Sequence, residues 1–295
     1  MFLLKTKFNY FIKDINLNKR NYFFKLIALI LGMYLFSIGI TISANTAVGV
    51  SMIDITILGS IFHSHGLADT SNGVVSGTIN TVDTPYELYV AYIYIGMSIV
   101  SLCFMSVWVY KSYKKTGNKM LFVQMLLSVI CDIIVIFAIP LLIKMNYLYM
   151  NPDGIRESAS TIRAYLFLIA FICYSLGIAL WVYSGFLPGP YNSICTNFIK
   201  MFEGMSYSFG RTIMNILIFI PGVLIILLDG ATGHRTWQEV LDFTLVNISF
   251  GSVFLILILG PMVTWFNKYI PKIFVMKPHV DFNQPVQTSI NMEEL

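Results

Sequence analysis

Long apolar runs alternate with short polar interruptions along this chain, and the run lengths decide its architecture. Six stretches hold few charges: residues 24–44, 88–110, 120–143, 162–183, 212–228 and 243–266. A bilayer's hydrocarbon core is about 30 Å thick and a helix rises about 1.5 Å per residue, so about 20 apolar residues cross it. Lipid offers no partner to a free backbone N–H or C=O, so each run is expected to be a helix. The pattern predicts an all-α polytopic membrane protein with six transmembrane helices. Two further apolar segments, 50–61 with Asp54 and 191–202, are too short to cross and read as re-entrant or interfacial helices. The stretch 66–84, rich in Gly, Ser, Thr, Asn and Asp, reads as an exposed outer loop, and the polar residues from 277 onward as a disordered tail.

Composition strengthens this picture. The chain is 57% hydrophobic and 12% charged, against about 45–50% and about 25% in soluble domains. No larger soluble core absorbs that excess, because cores stop growing near about 250–300 residues. The basic N-terminal stretch leads into a long apolar run without an early small-x-small cleavage pattern, so the first run reads as a retained span. The four cysteines, Cys103, Cys131, Cys173 and Cys195, lack metal-ligand spacing. They read as small apolar packing residues, with no disulfide implied.

Charge distribution sets the orientation. With the N-terminus inside, fifteen Lys and Arg fall on the inner side: six before or at the start of the first span, four in 111–119, Lys200 and Arg211, and Lys268, Lys272 and Lys277. Four fall outside: Lys144, Arg156, Arg163 and Arg235. The positive-inside rule then predicts both termini on the cytoplasmic side of a cell membrane. The expected organisation is a cytoplasmic basic segment 1–23, a three-span unit 24–143, an outer linker 144–161, a second three-span unit 162–268 and a cytoplasmic tail 269–295.

The two units share a pattern. Ser37-Ile38-Gly39-Ile40, late in the first span, matches Ser175-Leu176-Gly177-Ile178, late in the fourth, at an offset of 138. The same offset sets Asp54 on Asn192. Each unit reads as span, short helix, span, span, and three spans is an odd number, so the second copy enters from the opposite side. Inverted repeats of this kind place a substrate site near mid-membrane where the repeats meet.

The turns that open the two short segments resemble those of the YczE/YitT bacterial integral membrane proteins, in the YczE-like branch. Val48-Gly49-Val50-Ser51-Met52-Ile53-Asp54 is similar to that family's L-G-x-S-P-W-D turn, with Met52-Ile53 in place of Pro-Trp. Phe186-Leu187-Pro188-Gly189-Pro190-Tyr191-Asn192 is similar to its L-G-P-G-P-R-D turn, with Tyr191 for Arg and Asn192 for Asp. Ser208-Phe209-Gly210-Arg211-Thr212 and Leu259-Gly260-Pro261-Met262-Val263 resemble later family patterns. The resemblance covers roughly residues 24–268. It implies a multi-pass bacterial membrane protein, described in part of the family as a transporter.

Five polar residues are candidates for a substrate site. Asp132 lies in the middle of the third run, where a charge costs about 2.5 kcal/mol or more. It is either a proton or cation relay or a structural hydrogen-bond partner. Asp54 and Asn192 open the short segments, either as N-caps or as ligand contacts. Arg211 begins the fifth span, where the helix dipole disfavours a cation. Lipid anchoring or an anionic substrate are the alternatives. Asn45 ends the first span, as a lining residue or a terminator. His63 and His65, with Asp69, form a cluster assigned to the outer loop. Residues i and i+2 do not share a helix face, and no metal is assigned there.

The expected function is a permease for an unidentified small molecule or ion. The alternatives are a substrate-binding subunit of a larger transporter, or a non-transporting protein aiding assembly, signalling or envelope processes. Hydrolase, zincin and nucleotide-binding loop motifs are absent from the sequence, so no enzyme and no cofactor are expected. The lysines of 111–119 are explained by topology rather than by nucleic acid. The expected partners are the lipid bilayer and the substrate, with a homo-oligomer or a partner subunit left open.

Overall fold

The structure is a computed structural model and describes residues 19–67, 86–118, 120–202 and 204–273. Among these residues there are ten helices and no strand. The first four are α1 (Lys19–Thr46), α2 (Met52–His65), α3 (Tyr86–Thr116) and α4 (Met120–Tyr149). Then follow α5 (Pro152–Glu157), α6 (Ser160–Ser184), α7 (Gly189–Met201), α8 (Tyr207–Ala231), α9 (Trp237–Asn247) and α10 (Phe250–Ile273). Six of them, α1, α3, α4, α6, α8 and α10, are long and apolar enough to cross a membrane. Large apolar side chains point outward from them, including Ile99, Leu126, Phe137, Leu224 and Leu257. Water would not tolerate so continuous an apolar surface, and lipid does. The fold is all-α and polytopic.

The centre of the molecule is the crossing of α1 and α6. A Cβ built on Gly32 would meet the Trp181 backbone nitrogen at 2.6 Å, and one on Gly177 would meet the Phe36 nitrogen at 2.5 Å. Only glycine lets the two backbones come this close, and such small-residue contacts drive helix association in lipid. Phe36, Tyr174 and Trp181 pack around the crossing.

The two short helices exchange partners between the units. Helix α2 packs along α8 of the second unit, and α7 packs along α3 of the first. The pattern extends further: α1 packs on α4 as α6 does on α10, and α3 packs on α4 as α8 does on α10. At the α2–α8 contact, Gly222 approaches Ile55 and Thr56 so closely that a Cβ would lie 2.7 Å from the Thr56 nitrogen. Pro221 removes one intrahelical N–H nearby, and Thr56 Oγ1 donates to the Ile218 carbonyl at 3.0 Å.

The expected sixth span requires correction. The run 243–266 is interrupted after Asn247, and the crossing helix α10 begins at Phe250. The chain breaks there to bond residues about 200 positions earlier. Val50 N–H donates to the Asn247 carbonyl at 3.3 Å, and Gly251 N–H donates to the Val48 carbonyl at 3.2 Å. Residues 237–247 form the separate helix α9, which starts with a capping box between Thr236 and Glu239. The donors of Thr236 hold the Glu239 carboxyl below its ordinary range. The expected linker 144–161 is also mostly helical, filled by the end of α4 and by α5. Most of the expected outer loop and the polar tail lie outside the described residues.

Candidate functional site

The start of α2 and the start of α7 lie against the same aromatic cluster. Ser51 caps α2, accepting from the Asp54 N–H at 3.3 Å, and its hydroxyl donates to Asp54 Oδ2 at 2.7 Å. The cap is thus Ser51, and Asp54 stands in the first turn of the helix. Tyr86 donates to Asp54 Oδ1 at 2.8 Å, so both carboxylate oxygens are satisfied by hydroxyls. Helix α7 opens differently. Gly189 carries a φ of +68°, and a Cβ there would strike the Trp181 ring at 2.5 Å. Its N-cap, Pro188, supplies no side-chain hydrogen bond.

Arg211 faces this uncapped turn and is fully buried. Its Nη1 donates to Asn192 Oδ1 at 3.1 Å and to the Tyr207 hydroxyl at 2.6 Å. The guanidinium lies over the Tyr191 ring, 4.5 Å from the centroid. Tyr191 donates to Asn215 Oδ1 at 3.1 Å and touches Tyr174 and Phe36. Tyr207, Arg211 and Asn215 are spaced at i, i+4 and i+8 and therefore share one face of α8.

Several buried donors in this cluster have no partner among the described residues: Arg211 Nε and Nη2, Asn192 Nδ2, Asn215 Nδ2 and the Tyr94 hydroxyl. Among the described residues Arg211 forms no ion pair with a carboxylate. Each unsatisfied buried donor costs about 1–3 kcal/mol, more when charged. The chemistry lacking here is an acceptor-rich, negatively charged group. A carboxylate or phosphate would accept from guanidinium and amide donors at once.

Asp132 is held one helix away. Its Oδ1 accepts from Ser193 on α7 at 3.0 Å and its Oδ2 from Ser98 on α3 at 3.1 Å. The carboxylate therefore ties α4 to both elements. A cleft of about 290 Å³, lined in part by Trp108, Gln124, Ser193, Asn197 and Lys200, opens beside Ser193. Asp132→Asn keeps one acceptor and gains a donor, so stability is expected to shift by no more than about 1 kcal/mol. Uptake by this variant at the wild-type rate in a proteoliposome assay would remove the relay role and leave the carboxylate as a tie between helices.

Asn45 lies toward a different part of the cluster. Its amide donates to the Thr41 carbonyl at 2.7 Å and to the Tyr147 hydroxyl at 3.3 Å, and Tyr147 stands beside Tyr86. The structure thus brings Asn192 and Arg211 into direct contact and sets Asp54, Asp132 and Asn45 around them through intermediate side chains. Asn215 was missed, although its place four residues beyond Arg211 on the same helix face could have marked it. The tyrosines were not, because 17 of them are scattered along the chain.

The histidine cluster also differs from expectation. His63 lies in the last turn of α2 rather than in a loop, and Asp69 is outside the described residues. His65 turns toward Tyr89, while His63 meets Asp229 and His234 of the second unit.

No protein-family model, no curated protein and no solved structure matches this chain.

Proposed function

We propose that this protein is a membrane permease whose substrate is a small anion bearing a carboxylate or phosphate group. The observation that carries the reading is Arg211, fully buried and, among the described residues, without a carboxylate partner and with two guanidinium nitrogens unbonded. The open N-terminus of α7 adds a partial positive charge of the same sense. The exchange of short helices between the units supports an inverted-repeat architecture, with the site where the repeats meet. The Lys and Arg distribution supports cytoplasmic termini. The turns at 48–54 and 186–192 support membership of the YczE-like branch, within a bacterial plasma membrane.

The test has two stages. Purified protein is screened by thermal shift against carboxylates and phosphates, since a ligand that binds the folded state raises its apparent stability. Radiolabelled hits are then followed into proteoliposomes. Saturable uptake is the expected result. Stabilisation without uptake would favour a substrate-binding subunit of a larger transporter, and no stabilisation by any anion would overturn the assignment.

A further inference from the structure

A second cluster joins the two units at the other end of α2. His63 Nδ1 lies 2.6 Å from Asp229 Oδ1. The rings of His63 and His234 are 4.8 Å apart between centroids. One candidate ligand atom from each of His63, Asp229 and His234 can be chosen so that all lie within 4.8 Å of one another. Ligand atoms around a tetrahedral zinc ion lie about 3.3 Å apart, so small side-chain rotations would bring these three into place.

Three details distinguish this cluster from an ordinary surface ion pair. The Asp229 side chain is only 4% exposed, and its Oδ2 is buried without a hydrogen-bond partner among the described residues. The His63 carbonyl lies 2.9 Å from His234 Nε2. A carbonyl only accepts, so Nε2 carries the proton and Nδ1 of the neutral ring keeps its lone pair for a metal. A backbone carbonyl in this position is a recurrent outer-shell support of metal-binding histidine. Arg235 donates to the His63 carbonyl at 3.2 Å, and among the described residues it forms no ion pair with Asp229.

We propose that His63, Asp229 and His234 form a binding site for a divalent transition-metal ion of the zinc class. The ion clamps the C-terminal end of α2 to the end of α8 and the turn that follows it. Two imidazoles and one carboxylate suit zinc, and three protein ligands leave a position for water. Binding displaces the proton shared by His63 and Asp229. The site spans the two units, so an occupied site resists any motion that separates α2 from the α8–α9 turn.

The experiment uses the full chain, purified without a polyhistidine tag and stripped with chelator. Zinc chloride is titrated while bound metal per chain and thermal stability are recorded, and cobalt(II) serves as a spectroscopic probe of tetrahedral coordination. One zinc per chain with a raised unfolding midpoint is expected. His234→Ala and His63→Ala alter exposed residues and preserve the fold. Each is expected to weaken binding at least as much as outer-shell losses do, roughly 10–100-fold, while His65→Ala binds as wild type. Substoichiometric binding, or equal binding by His234→Ala, would overturn the site. Neither readout depends on transport, so failure here leaves the anion reading intact.

Discussion

Arg211→Met is expected to stabilise the protein while weakening anion binding about 30-fold or more. Among the described residues the arginine is buried there without an ionic partner, which carries a desolvation cost of several kcal/mol. Methionine has a similar reach and no charge. Its substitution forfeits the bonds to Asn192 and Tyr207 and the contact with the Tyr191 ring. Replacing whole buried ion pairs or triads by well-packed apolar side chains is neutral or raises stability by about 1–4 kcal/mol, and among the described residues Arg211 has no ion partner that its removal would orphan. Binding moves the other way. Loss of a buried charged contact costs about 2–5 kcal/mol, hence about 30-fold or more in affinity. Arg211→Lys keeps the charge but loses the planar fork, and is expected to bind weakly without the gain in stability. The measurements are thermal unfolding and ligand-induced shift for each variant. A sharply lowered unfolding midpoint in Arg211→Met would make Arg211 a structural support rather than a ligand contact.

Gly177→Val is expected to be the most damaging single change to the fold. The new Cβ alone would fall 2.5 Å from the Phe36 nitrogen and 2.8 Å from the Gly32 carbonyl oxygen. Both obstacles are backbone, so no side-chain rotation relieves them and α1 must move away from α6. Overpacking costs about 1–3 kcal/mol when neighbours can yield, and more when they cannot. Gly32→Val strikes the same crossing from the other helix. Gly96→Val is the control, since nothing lies within 4 Å of its Cβ. Size-exclusion profiles in detergent should show aggregated Gly177→Val and monodisperse Gly96→Val. A monodisperse Gly177→Val of wild-type stability would disprove the close crossing.

The crossing helices were legible because lipid enforces a length on every span. Five of the six runs lie within the helices that contain them. The sixth failed at Ile248–Ser249, where hydropathy stays high but the backbone turns to bond Val48 and Val50. A window sum cannot register a partner 200 residues away. The short helices were legible from run length alone, and Asp54 and Asn192 lie near the starts of α2 and α7. Ser51 as the cap was missed because Asp54 is an equally good capping type. Asp229 and His234 were missed for a different reason. Only four histidines exist in the chain, yet nothing local links His63 to an aspartate 166 positions later.

The exchange of short helices has a consequence for biogenesis. Thr56 on α2 bonds Ile218 on α8, 162 positions along the chain. At roughly 5–20 residues per second, on the order of 10–30 s of synthesis separates the two. Throughout that interval α2 has left the ribosome and its docking surface does not yet exist. The first unit therefore waits in the membrane incomplete, with Gly59 and Thr56 turned toward lipid or a chaperone. Assembly is completed from the C-terminal half, and chains truncated before α8 are substrates for membrane quality control.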